Sequence, residues 1–215
     1  MGYPFEDLDD TQFERVVVQC MKKLFGAGVQ SFSTGPDGGR DALFIGTAER
    51  FPSASSPWKG TTVGQAKHTF GTNRHFSDPG FSGTVQSSTL SKEMPRIAKL
   101  VENGQLTNYI LFSNRRLGGV VGPGLATRIA EEAGIPADQV FLAGTEFLDE
   151  LLREYPEILE NAEIDPVDGP LLVSSADIAE LILAIGDELD PAGSVAEPVD
   201  RVSFTKKNEI NSMSA

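Results

Sequence analysis

Gly35-Pro36-Asp37-Gly38-Gly39-Arg40-Asp41-Ala42-Leu43-Phe44-Ile45 and, further on, Val63-Gly64-Gln65-Ala66-Lys67 are the two stretches whose pairing decides the fold. In the first, a glycine-rich turn delivers Asp41 to the start of an apolar run. Turn chemistry accounts for Asp37-Gly38-Gly39. It does not account for Asp41, because aspartate is disfavoured at the head of an apolar strand. In the second, Gln65 and Lys67 alternate with Gly64 and Ala66. Residues two apart on a strand share a face. If the two strands pair, a carboxylate, an amide oxygen and an ammonium converge on one spot. Such a set suits a divalent cation and a water positioned for phosphodiester hydrolysis.

Working outward, Phe13, Val16, Val17, Cys20, Met21 and Leu24 recur at helical spacing and predict an amphipathic helix over 11–25. Asp10 or Thr11 would cap it and Gly26 would end it. Thr11-x-x-Glu14 reads as a capping box. Glu14 also borders the buried stripe, where its carboxylate can reach the sheet as a further metal ligand. Strands are expected near 29–33, 41–46, 61–68, 108–112 and 139–143. Residues 49–60 and 69–83 read as loops. Helices are expected within 84–103, where Pro95 kinks or restarts the helix, at 125–133, and at 146–155. The order predicts an α/β fold, a mixed sheet flanked by helices.

The chain carries a formal net charge of −13 over 215 residues, unevenly spread. Residues 1–120 hold 13 cationic and 11 anionic side chains, whereas 121–215 hold 5 and 20. The paired motifs therefore lie in the non-acidic half, where a phosphate backbone can dock. Lys59, Arg74, Lys92, Arg96, Lys99, Arg115 and Arg116 are candidates to line a substrate channel. Among them Arg74, Arg115 and Arg116 are the expected nucleic-acid contacts. The lone Cys20 sits among apolar helix residues and reads as a buried small hydrophobe in a reducing compartment. The acidic N-terminus is unlike a signal peptide, and no apolar run is long enough to span a bilayer. A soluble, cytoplasmic protein without a membrane partner is expected. His68 and His75 lack zinc-ligand spacing and read as surface or loop residues. Gly118, Gly119, Gly122 and Gly124 read as a flexible connector before a helix.

These motifs resemble the Mrr-like branch of the PD-(D/E)XK restriction-endonuclease superfamily. The resemblance rests on Phe13-Glu14, on Gly35-Pro36-Asp37-Gly38-Gly39-Arg40-Asp41, and on Gln65-Ala66-Lys67. It covers about the first 155 residues, and in this branch a glutamine stands where the superfamily usually has an acidic residue. The resemblance implies a restriction-endonuclease-like sheet and a metal-dependent DNA endonuclease. Asp41 and Gln65 would bind Mg²⁺ or Mn²⁺ with help from Glu14 and the Ala66 carbonyl, and Lys67 would be the catalytic lysine. Double-stranded DNA would be the substrate. Similar domains are the nuclease modules of bacterial anti-phage effectors, which implies control by a regulatory partner or C-terminal sensor domain; a homo-oligomer is also expected.

A composition shift near 161–170 marks 1–160 as the nuclease domain. Residues 161–215 read as linker, one helix capped by Ser174 or Ser175, and an acidic tail that could start a further domain. The competing reading is a catalytically inactive nucleic-acid-binding or protein-interaction module on the same fold. A third is an assembly adaptor that docks through the acidic segment.

Overall fold

The computed structural model describes residues 2–32, 40–164 and 182–183. The chain divides into two compact units, Met1–Leu171 and Leu172–Ala215. The sheet and the helices around it belong to the first. The turn 35–39, the helix expected after Ser174 apart from helical Ile182 and Leu183, and the acidic tail lie outside the described residues.

The 11–25 stripe forms helix α1, Asp10–Phe25, which buries Phe13, Val16, Val17, Cys20 and Met21. Its cap differs from the sequence reading. Asp9 is the N-cap, and it exchanges bonds with Gln12 in a capping box. Asp9 lies one residue before the first helical position, so its side chain reaches the N3 amide that Thr11 cannot. Glu14 has no part in that cap. Gly26 follows with φ of 93°, a conformation glycine adopts at no steric cost.

Among the described residues five strands follow: β1 Gln30–Ser31, β2 Ala42–Ser53, β3 Ser56–Lys67, β4 Asn108–Ser113 and β5 Val140–Ala143. They form one sheet in sequential order. The first three are antiparallel, whereas β3, β4 and β5 run parallel. The sheet is mixed and helix-flanked, as the sequence predicts. The expected loop over 49–60 is instead a long hairpin closing at Ala54–Ser55. Ala48, Phe51 and Trp58 turn inward, and Phe51 and Trp58 pack edge to face at 5.0 Å. Pro52 pairs with Pro57 beyond a register shift, where the ladder is already interrupted and a missing N–H does little harm.

Between β3 and β4 come α2, Pro79–Ser82, and α3, Thr89–Glu102. Pro95 lies inside α3 without splitting it. Helix α4, Val121–Ala133, links β4 to β5; α5, Thr145–Glu154, and α6, Glu157–Asn161, follow. The strands divide two cores. Ala42, Phe44, Ala66, Ile110 and Phe112 face α1, α5 and α6. Val63, Tyr109, Leu111 and Leu142 face α2, α3 and α4. Every residue of β4 is buried, as expected for a parallel strand covered on both faces. At Gly64 a Cβ would collide with the Met21 thioether, so glycine is what lets α1 approach β3.

Candidate active site

Asp41 immediately precedes the first regular β2–β3 pair, Ala42 opposite Gly64. Its backbone N–H donates to the Gly64 carbonyl at 3.2 Å. Its carboxylate Oδ2 accepts the Ala66 N–H at 2.6 Å. A side chain thus takes the place of a ladder carbonyl, with the short distance typical of a charged acceptor. The acid is delivered to the residue that separates Gln65 from Lys67.

Gln65 and Lys67 share a face, as alternation requires, and that face looks toward α3. The Gln65 side chain is buried at 1% exposure. Its Nε2 donates to Glu93 Oε2 at 2.9 Å, and its Oε1 accepts from the Tyr109 hydroxyl at 2.6 Å. Lys67 Nζ donates to Glu93 Oε1 at 3.0 Å. Arg96 adds a longer bond to Glu93 Oε2 at 3.4 Å. Glu93 is therefore the hub. Burial raises its carboxyl's pKa, but bonds from Lys67 and Gln65 and the charges of Lys67 and Arg96 outweigh that, leaving it below the ordinary value. Tyr109 is pushed well above the ordinary phenol value by burial, and the charges of Glu93 and Asp41 add to this. It stays a proton donor to Gln65.

Half-buried Glu14 borders two concavities. One, about 160 Å³, is also lined by Asp10, Phe13, Ala66, Lys67 and His68. The other, about 370 Å³, is lined by Glu14 and Asp41 together with Thr11, Arg15 and Ser31 among others. The first helix thus brings its carboxylate to the neighbourhood of both motifs. Its N-terminus is held there by His68, whose ring nitrogens contact Asp10 Oδ1 at 3.0 Å and the Phe5 carbonyl at 2.9 Å. The His68 side chain is only 1% exposed, so this histidine is a structural tie and not a surface residue.

Of the three expected nucleic-acid contacts, Arg74 and Arg116 are exposed. They sit side by side, with the Arg116 N–H donating to the Arg74 carbonyl at 2.8 Å. Arg115 is placed differently. Its guanidinium donates to Asp78, Thr69 and the His75 carbonyl and lies 4.3 Å from the Phe81 ring centroid. Buried to 8% exposure, it fastens the 69–83 segment to the end of β4. Asn114 reinforces this with a two-way clasp on the Thr69 backbone.

Among the described residues no group of three or more His, Cys, Asp and Glu side chains is placed to hold a metal. The donor set read from the sequence is of another kind: two carboxylates, a backbone carbonyl and an amide oxygen. These are hard oxygen donors suited to Mg²⁺, which keeps several waters. Asp41, Glu14 and the Ala66 carbonyl fit that chemistry. The Gln65 oxygen already accepts from Tyr109 and retains one lone pair.

Sequence reasoning missed Glu93 and Tyr109. Leu90, Glu93, Met94, Ile97 and Leu100 form the buried stripe of α3. A carboxylate on an otherwise apolar stripe is the signal that could have found Glu93. No family model matches the chain, and no curated protein or solved structure matches it. No described helix is long and apolar enough to cross a membrane.

Proposed function

We propose that the first unit is a metal-dependent DNA endonuclease domain with a restriction-endonuclease-like fold of the PD-(D/E)XK type. The observation that carries the reading is the 2.6 Å bond from the Ala66 amide to Asp41, which fixes the acid beside the Gln65–Lys67 pair. Asp41, Glu14 and the Ala66 carbonyl would hold Mg²⁺ or Mn²⁺, with Gln65 beside them. A bound divalent ion would polarise the scissile phosphate and acidify a water. Lys67, held against Glu93 at 3.0 Å, is suited to stabilise negative charge developing on the phosphate. The exposed Arg74–Arg116 pair would meet the backbone of double-stranded DNA. Service as the effector of a cytoplasmic anti-phage system belongs to the same proposal.

One observation favours a second reading. Gln65, Lys67, Glu93 and Tyr109 satisfy one another, as a purely structural network in an inactive DNA-binding module would. Incubating supercoiled plasmid with the protein in Mg²⁺ and in EDTA separates the two. Nicking or linearisation in Mg²⁺ alone supports the nuclease; retarded but intact DNA in both supports the module.

A further inference from the structure

We infer that Glu93 on α3 is the positioning residue of the site, the group that fixes the Lys67 ammonium and the Gln65 amide relative to each other. The inference rests on the nuclease reading for its catalytic consequence, and on geometry alone for the positioning itself.

Two donors converge on this side chain from one strand face. Gln65 Nε2 and Lys67 Nζ reach different oxygens of the same carboxylate, at 2.9 and 3.0 Å. Both groups facing Glu93 are donors: the Lys67 ammonium has no lone pair to accept with, and Gln65 turns its oxygen to the Tyr109 hydroxyl. The residue between them must therefore accept at both of its ends. A carboxylate does this; an amide does not, since one of its ends carries hydrogens. The Glu93 side chain is 9% exposed against 24% for Lys67. The anion is thus the more buried, fixed partner, and Lys67 is the more exposed one. Arg96, mostly exposed, is a weaker third contact.

The anchorage is also directional. Glu93 lies on the same stripe as Leu90, Met94, Ile97 and Leu100, which lock α3 onto the sheet. The helix therefore transmits a rigid position to Lys67, whose own four-carbon stem would otherwise sample many rotamers. Held in this way, the ammonium is ordered before substrate arrives.

The test compares wild type with E93Q and E93D in two readouts. In the first, each protein is treated at neutral pH with an acetylating amine reagent. Lys67 modification is followed by peptide mass spectrometry against exposed Lys59 as the internal reference. The expected result is Lys67 acetylation about tenfold faster in E93Q, with Lys59 unchanged and E93D in between. In the second, plasmid cleavage in Mg²⁺ is expected to lose about tenfold or more in kcat in E93Q, with little change in KM for DNA and part of the loss recovered in E93D. Equal Lys67 labelling in wild type and E93Q overturns the inference, and so does an unchanged kcat in an active enzyme. If wild type cleaves no DNA, the nuclease reading fails and labelling alone decides whether Glu93 positions Lys67. If E93Q does not fold, E93D supplies both readouts, with smaller shifts expected and unchanged labelling counting against the idea in the same way.

Discussion

Asp41 Oδ2 lies 2.6 Å from the backbone nitrogen of Ala66, the residue between Gln65 and Lys67. The carboxylate is thus both a strut in the β2–β3 junction and the proposed metal ligand, and substitution separates the two roles. In D41N the amide oxygen still accepts the Ala66 N–H. Stability should fall by about 1 kcal/mol or less, whereas Mg²⁺-dependent cleavage should fall on the order of 100-fold or more. Thermal melts and plasmid assays on the same preparation check this. A variant that melts early but cuts normally while folded would make Asp41 a strut only.

Tyr109 donates to Gln65 from within the core. Y109F removes the donor and leaves a buried amide oxygen unsatisfied, at a cost of about 1–3 kcal/mol. Denaturant unfolding should show a lower midpoint with an unchanged slope. A midpoint equal to wild type would mean that the hydroxyl contributes nothing to the network.

The lowered Glu93 carboxyl makes a prediction about acid. A carboxyl whose folded pKa is depressed stabilises the fold above its unfolded value, about 4.3 for glutamate, and that contribution is lost as pH falls through the lower folded value. The stability difference between wild type and E93Q should therefore be full near neutrality, about 1–2 kcal/mol, and should shrink toward the acid limb. Unfolding curves across pH measure it. A difference that does not vary with pH would show that charge is irrelevant to the loss.

The arginines divide by placement. R115A removes three donors and a stacked cation from the 69–83 segment and should cost about 2 kcal/mol or more. R74A and R116A touch exposed side chains and should leave stability within about 0.5 kcal/mol. Each should reduce the salt slope of DNA binding by about one. Fluorescence anisotropy of a labelled duplex across salt concentrations tests this, and unchanged slopes would remove both from the interface.

The strands that place the site were legible because their alternation is strong. Ala42 and Phe44 against Leu43, and Gly64 and Ala66 against Gln65 and Lys67, define two faces from residue order alone, and the two cores keep that division. The hairpin over 49–60 was not legible, since its prolines and serines read as loop. The inward trio Ala48, Phe51 and Trp58 overrides that propensity by burial. Glu93 escaped notice for a different reason: its partners lie 28 and 26 residues away, and sequence spacing carries no record of which helix covers which strand. The Asp9 cap was missed by one residue, the usual scale of uncertainty at a helix boundary.

In the proposed chemistry Asp41 and Lys67 serve one metal-dependent hydrolysis. The most direct measurement is conversion of supercoiled plasmid by wild type, D41N and K67A, each with Mg²⁺ and with EDTA. Wild type should cleave in Mg²⁺ only, with both variants folded and inactive. Cleavage that persists in EDTA, or in either variant at the wild-type rate, would contradict the assignment.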